Sequence, residues 1–255
     1  MRLHVVSDVH GRTDALARSL DGADALVCLG DLVLFIDYDD LSVGIFPGLF
    51  GPENTRIYVD LRAAARFDEA REFSAGLWAA RGGDRTTTML EAVRAQYADT
   101  FAAMPEPAYL TYGNVDLPDL WPGLVRPGHR VLDGEVVQIG SRTVGFVGGG
   151  LQTVYRTPYE ISDEAFAEKL AAVEGADILC THIPPALPEL TYDVVARRFE
   201  RGSVALLDVI RRSRPLTALF GHVHQPLVAR TRVGRTECVN VGHFRGRGTP
   251  YALDV

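Results

Sequence analysis

The sequence predicts an α/β fold in which two packed sheets carry helices on their outer sides, and three observations predict it. Short apolar runs recur, each of a length that suits a buried strand, with helical stretches between them. Segments of alternating polarity add paired strands joined by tight turns. Polar clusters rich in Asp and His stand where the apolar runs stop.

Taken in order, residues 3–7 form a first buried strand ending in polar residues and Gly11, and residues 25–29 repeat the pattern before Gly30 and Asp31. A helix over about 13–20 joins them, giving a strand–helix–strand unit. His4 lies within the first strand and reads as a hydrogen-bonded core histidine. Two further apolar runs, 178–181 and 216–220, follow helices at about 162–173 and 203–212. Ser162 is a suitable N-cap, with Asp163 and Glu164 placed to favour the helix dipole. The pairs 136–139 with 143–147, and 227–231 with 235–239 around Gly234, read as hairpins.

A single domain over residues 1–255 is the simplest organisation, with a helical insertion at about 36–104. A loop bearing Gly44, Pro47, Gly48, Gly51 and Pro52 leads into two helical patterns, about 60–81 and 84–103, broken at Gly82 and Gly83. Thr88 and Glu91 have capping-box spacing near the second start. Phe67, Phe73, Leu77 and Trp78 form an apolar stripe that serves equally as a packing side, a lid or a partner surface.

The formal net charge of -7 argues against nucleic acid as a partner, because that affinity comes from basic groups on phosphates. Cys28, Cys180 and Cys238 are far apart within apolar runs and read as small buried hydrophobes, with neither a disulfide framework nor a thiolate metal site. The apolar stretch at the N-terminus is too short for a signal peptide, and no run reaches the about 18 apolar residues of a membrane span. A cytoplasmic protein with no membrane contact is the expectation; the oligomeric state is not legible.

Five polar clusters carry the chemistry: Asp8-Val9-His10, Gly30-Asp31, Gly113-Asn114-Val115-Asp116, Thr181-His182 and Gly221-His222-Val223-His224. Each supplies a carboxylate, an amide oxygen or an imidazole, a donor set that suits divalent Mn, Fe or Zn. In an extended segment, a spacing of two puts Asp8 with His10, and His222 with His224, on one side and turns the intervening valine to the core. One such cluster would be weak grounds for a metal site; five in sequence, each at a strand end beside a small residue or turn, are strong ones.

In this order the clusters resemble the five blocks of the calcineurin-like metallophosphoesterases, over residues 8–224. The resemblance implies a four-layer α/β/β/α sandwich of two mixed β-sheets flanked by helices, and a dinuclear site for two divalent ions. Carried over residue by residue, it assigns Asp8, His10 and His224 to one ion, Asn114, His182 and His222 to the other, and Asp31 to both. Asp31, Asn114 and His182 then lie closest to the chemistry. The implied activity is a metal-dependent phosphoester hydrolase in which the ions lower the pKa of a bridging water toward about 7 and clamp the phosphoryl oxygens. The expected substrate is a small phosphoester, a nucleotide derivative among the candidates. Asn240-Val241-Gly242 also resembles a family turn and reads as structural.

The chain departs from the family pattern at Val115, where the fuller motif has a histidine that protonates the leaving group or steadies the transition state. A positioned acid is worth roughly 100-fold to 10,000-fold, so esters with poor leaving groups should suffer most. Some family members that lack that histidine resemble this chain and act on phosphodiesters, which favours a phosphodiesterase over a monoesterase. Asp116 is expected to orient a ligand histidine through its free ring nitrogen. His129 and His243 lie on loops able to reach the site and read first as turn histidines. Arg245 and Arg247 are candidates for a substrate phosphate, on a tail that reads first as a solvated loop. The alternatives are a nuclease of the same family, which would want a basic, aromatic-lined groove, and a non-catalytic scaffold braced by metals.

Overall fold

The strands Ala25–Cys28, Ile178–Thr181 and Thr217–Phe220 are buried at every residue, the pattern of parallel strands covered on both faces. In the computed structural model, which describes residues 1–255, they are central strands of two mixed sheets. The first sheet runs Tyr251–Asp254, Arg2–Val6, Ala25–Cys28, Ala108–Leu110, His129–Val131, parallel throughout except for its first pair. The second runs Arg230–Val233, Thr236–Asn240, Thr217–Phe220, Ile178–Thr181, Arg142–Val147, Glu135–Ile139, with antiparallel hairpins at both edges.

Period-two alternation divides the side chains between two cores. Leu3, Val5, Val27 and Leu29 from the first sheet meet Phe146, Ile178, Cys180 and Leu219 from the second, which makes the layer between the sheets. On the far side of the second sheet, Leu179, Ala218 and Phe220 pack under the helices Asp163–Val173 and Val204–Ser213 through Phe166, Leu170, Leu206 and Ile210. Each such side chain contributes about 1.5–3 kcal/mol on burial. The result is the four-layer α/β/β/α sandwich, two mixed sheets flanked by helices.

Local chemistry explains several boundaries. Ser162 and Ser203 cap their helices by accepting from the Ala165 and Leu206 amides at 3.2 and 3.0 Å. The expected helix over 13–20 is shorter, Thr13–Leu16, and continues as turns to Gly22. His4 is satisfied as expected, its Nδ1 2.8 Å from the Ser19 carbonyl. Cys28, Cys180 and Cys238 are free and buried. No helix is long and apolar enough to cross a membrane.

The chain divides into two compact units, Met1–Leu32 with Asp99–Val255, and Val33–Ala98. Within the second, three sequence expectations are corrected. The Gly/Pro loop contains a short helix, Ile45–Phe50, that ends at Gly51 just before Pro52 opens the next helix. The single helix expected over 60–81 is two, Pro52–Ala63 and Phe67–Arg81, because Ala65 turns left-handed (φ 57°) between them. The following helix starts at Arg85, and its cap is Asp84, which accepts from the Thr87 amide at 2.6 Å, not Thr88. The apolar stripe resolves in part into packing: Trp78 meets Phe50 edge-on at 4.8 Å, while Phe67 is exposed.

Candidate metal centre

The five clusters leave the C-terminal ends of parallel strands, where an open α/β sheet gathers its loops. They do not continue as extended segments, as the spacing of two suggested. Asp8, His10, Asp31 and His222 all have left-handed backbones, with φ of 57°, 41°, 55° and 66°. A residue bearing a side chain costs about 1–3 kcal/mol in such a conformation, and the pattern concentrates at sites where geometry serves function. Val9 and Val223 are buried as expected, so each sharp turn keeps one hydrophobic anchor.

Backbone pairing locks the loops together. The Asp8 amide donates to Gly30 O at 3.0 Å, His10 N–H to Asp31 O at 2.9 Å, and Gly221 N–H to His182 O at 2.9 Å. Glycine is required at the crossings. A Cβ on Gly30 would lie 1.9 Å from the Gly113 nitrogen, one on Gly113 2.0 Å from Asp31 Oδ1, and one on Gly221 2.3 Å from Asp8 Oδ2. Gly30, Gly113 and Gly221 are thus what let these loops touch.

The side chains of all seven expected ligands converge. Donor atoms of Asp8, His10 and Asp31 lie within 4.8 Å of one another, as do those of Asp31, His182 and His222. Asp31 is common to both groups: its Oδ2 is 3.9 Å from His10 Nε2 and 3.3 Å from His182 Nε2, while Oδ1 accepts from Val115 N–H at 3.0 Å. Asn114 Oδ1 is 2.9 Å from both His182 Nε2 and His222 Nδ1. Asp8 Oδ1 faces His224 Nε2 at 3.3 Å, and Oδ2 accepts from His222 N–H at 2.9 Å. The Leu29 carbonyl, 2.9 Å from His182 Nδ1, can only accept, so it fixes the proton there and leaves Nε2 for the centre.

Electrostatics matches the geometry. Burial would raise Asp8, yet the bond and charge of His224, with His182 and His10, hold it well below the usual carboxylate range. Burial would likewise raise Asp31, but His182 and His10 bring it down. Burial opposes charge on His182, and the Asp31, Asp8 and Asp116 carboxylates outweigh it, pushing the imidazole up to about 9. His222, buried beside charged His182, falls to about 4. Burial opposes charge on His224 as well, and its bond to Asp8 raises it all the same. His182 is therefore the cationic imidazole beside Asp31, and His224, bonded to Asp8, holds a proton more readily than a free imidazole does. A divalent ion in each group would replace that proton. The residues fit such ions: the donors are oxygen and nitrogen without thiolate, and the buried Asp8 Oδ1 faces the Nε2 atoms of His224 and His10 at 3.3 and 4.0 Å.

Asp116 binds the backbone of the neighbouring loops. Its Oδ2 accepts from the Asp31 and Gly113 amides, both at 2.8 Å, and Oδ1 from Leu32 at 3.0 Å, so it fastens two loop backbones while Leu29 orients His182. Burial and the Asp31 charge push it up to about 6. His129 opens a strand and packs by Phe101, with ring centroids 5.9 Å apart. His243 does reach the centre, stacking on His224 at 3.8 Å. Arg245 lies in a short helix, Phe244–Arg247, and donates to the His10 carbonyl at 2.8 Å, while Arg247 packs against Gly242. Asn240 is structural as expected: Nδ2 donates to Gly221 O and Val223 O at 3.2 and 2.9 Å, and Oδ1 accepts from Gly242 N–H at 2.9 Å.

Two residues carried no sequence signal, Thr157 and Glu160. Thr157 Oγ1 accepts from Asn114 Nδ2 at 3.0 Å and donates to Glu160 Oε1 at 2.9 Å. This contact fixes the Asn114 amide with its oxygen toward the histidines. Nothing in the local pattern around Thr157 marks it, because its partner is 43 residues away.

No family model and no curated protein matches the sequence. Among solved structures, the chain is similar to TT1561 of Thermus thermophilus, with a TM-score of 0.51 and 14% identity over 99% of this chain and 98% of that one. At that identity the likeness concerns the fold. Weaker overlaps are with purple acid phosphatase PPD1 from yellow lupin (Lupinus luteus) seeds (TM-score 0.45, 14% identity, 100% of this chain and 46% of that one) and with GAP50, the anchor in the inner membrane complex of Plasmodium (TM-score 0.39, 12% identity, 95% and 71%).

Proposed function

We propose that the chain is a metal-dependent phosphoester hydrolase that favours phosphodiesters over monoesters. The observation that carries this reading is Asp31, whose carboxylate stands between two groups of O and N donors. Asp8, His10 and His224 would hold one divalent ion, Asn114, His182 and His222 the other, and Asp31 both. The ions, whether Mn, Fe or Zn, would supply Lewis acidity toward a phosphoryl group and make water a better nucleophile at neutral pH.

The protein's own part is positional. Leu29 and Thr157 set the His182 ring and the Asn114 amide, Asp116 ties the Asp31 and Asn114 loops, and the left-handed residues hold the donors before a substrate arrives. Val115 presents a half-buried aliphatic side chain where the family pattern has a histidine, so no proton is offered from that position. This supports esters whose leaving group departs without help, and the resemblance to histidine-lacking members supports diesters. A small phosphoester fits the acidic chain better than nucleic acid does. Three free, buried cysteines accord with a reducing, cytoplasmic setting.

The test is hydrolysis of bis(p-nitrophenyl) phosphate and p-nitrophenyl phosphate by the metal-free protein supplied with Mn, Co, Ni or Zn, beside Asp31→Asn. The reading expects diester turnover that needs metal and falls at least about 100-fold in the variant. Equal inactivity of both proteins with every ion would overturn it.

A further inference from the structure

We propose that His243 is a further ligand for the ion assigned to Asp8, His10 and His224, which makes that position rich in imidazole. The inference rests on the metal-centre reading above and adds to it a residue outside the five clusters.

Three features place His243 there. First, its backbone is registered on the first metal loop: residues 7 and 243 form a parallel bridge, Phe244 N–H donates to Ser7 O and Arg245 N–H to Asp8 O, both at 3.0 Å. Second, the same segment is clamped from both sides. Asn240 ties Gly242 to the carbonyls of Gly221 and Val223, so one side chain sets His243 relative to the His222 and His224 loop. Arg245 bonds the His10 carbonyl at 2.8 Å, and Arg12 bonds the Arg245 carbonyl at 2.6 Å, which fixes His243 relative to His10. Third, the rings meet. His243 lies on His224 with centroids 3.8 Å apart and planes 4° from parallel, and 5.8 Å from the His10 ring.

One ring nitrogen from each of His10, His224 and His243 lies within 4.8 Å of the other two. The stacked rings of His224 and His243 hold their lone pairs in separate parallel planes, so one of the two would turn about its side-chain bonds for both to reach a single ion. Three imidazoles also change which ion is preferred, since nitrogen ligands suit Zn, Co and Fe, whereas Mn and Mg favour oxygen. The other position, with Asn114 and Asp31 supplying oxygen, keeps two histidines. The two ions should therefore differ in affinity and identity, with the tighter at His243.

Stacking alone is the competing role for His243, and a variant pair separates them. Phenylalanine keeps a flat ring against His224 and removes the donor nitrogen; alanine removes both. The chelator-treated full chain is titrated with Co(II) and followed by visible absorption and calorimetry, with circular dichroism to check folding. The wild type should bind two ions, the first more tightly. In His243→Phe and His243→Ala alike, affinity for one ion should fall at least about 10-fold and its absorption band should shift, with the second ion unaffected. If His243→Phe binds both ions as the wild type does, the ligand role is overturned, whether or not His243→Ala is weakened. If the wild type binds no cobalt, the metal centre itself fails and this inference with it.

Discussion

The backbone N–H of Val115 donates to Asp31 Oδ1 at 3.0 Å, so the residue standing where the family pattern has a histidine still steadies the carboxylate shared by both donor groups. What the position lacks is a side chain that can give up a proton.

Restoring that function is the first prediction. Val115→His keeps the backbone donor and adds an imidazole beside the centre. Turnover of phenyl phosphodiesters should rise up to about 100-fold, while the p-nitrophenyl analogue, whose leaving group needs no proton, should change little. Equal effects on both would count against a proton-transfer role for that place.

Thr157 is predicted to act through Asn114. Thr157→Val removes the acceptor for Asn114 Nδ2 and lets the amide turn. Affinity for the ion at Asn114 should fall about 10-fold with KM for the ester little altered, and Thr157→Ser should restore it. Metal titration of the three proteins is the check; a serine variant as weak as the valine one would point to packing instead.

The centre should also reverse the pH dependence of stability. In the metal-free chain, Asp31 and its neighbours raise His182 to about 9, above an ordinary value of 6.5. The stabilisation that this proton brings is complete below pH 6.5 and is lost as pH climbs through 9. Metal-free protein should thus become easier to unfold in urea between pH 6.5 and 9. An ion must displace the same proton, so metal-loaded protein should grow more stable over that window, with protons released on binding.

Gly221→Ala tests the close crossing of the loops. The added methyl would lie 2.0 Å from Ser7 Oγ and 2.3 Å from Asp8 Oδ2. Destabilisation of about 1–3 kcal/mol is expected, with a loss of metal affinity at Asp8 greater than at Asn114. Chemical denaturation together with metal titration would show it.

The strands at 3–7, 25–29, 178–181 and 216–220, the Ser162 cap and the seven converging donors were legible in the sequence because each depends on a few adjacent residues, an apolar run, a hydroxyl before a helix or a polar cluster at a strand end, whereas the strands Ala108–Leu110, His129–Val131 and Tyr251–Asp254 were not read. What escaped depends on contacts across the chain or on a single backbone angle. Thr157 finds Asn114 only in three dimensions, and the left-handed turn at Ala65 that divides one expected helix into two has no glycine to announce it. The bonds of Asp116 to the amides of Asp31, Leu32 and Gly113, freed by the sharp turns at the strand ends, likewise gave no sign in the sequence. His243 was named as able to reach the site but read first as a turn histidine, since it lies beyond the last motif and the pairing of residue 243 with residue 7 that brings it to the centre is not local.

The most direct test of the account is anomalous diffraction from crystals of the chain grown with Mn or Zn. Two peaks about 3.5–4 Å apart, with the Asp31 carboxylate between them, Asp8, His10 and His224 around one and Asn114, His182 and His222 around the other, are the predicted result. No peak among these seven side chains, or a single peak that does not touch Asp31, would contradict it.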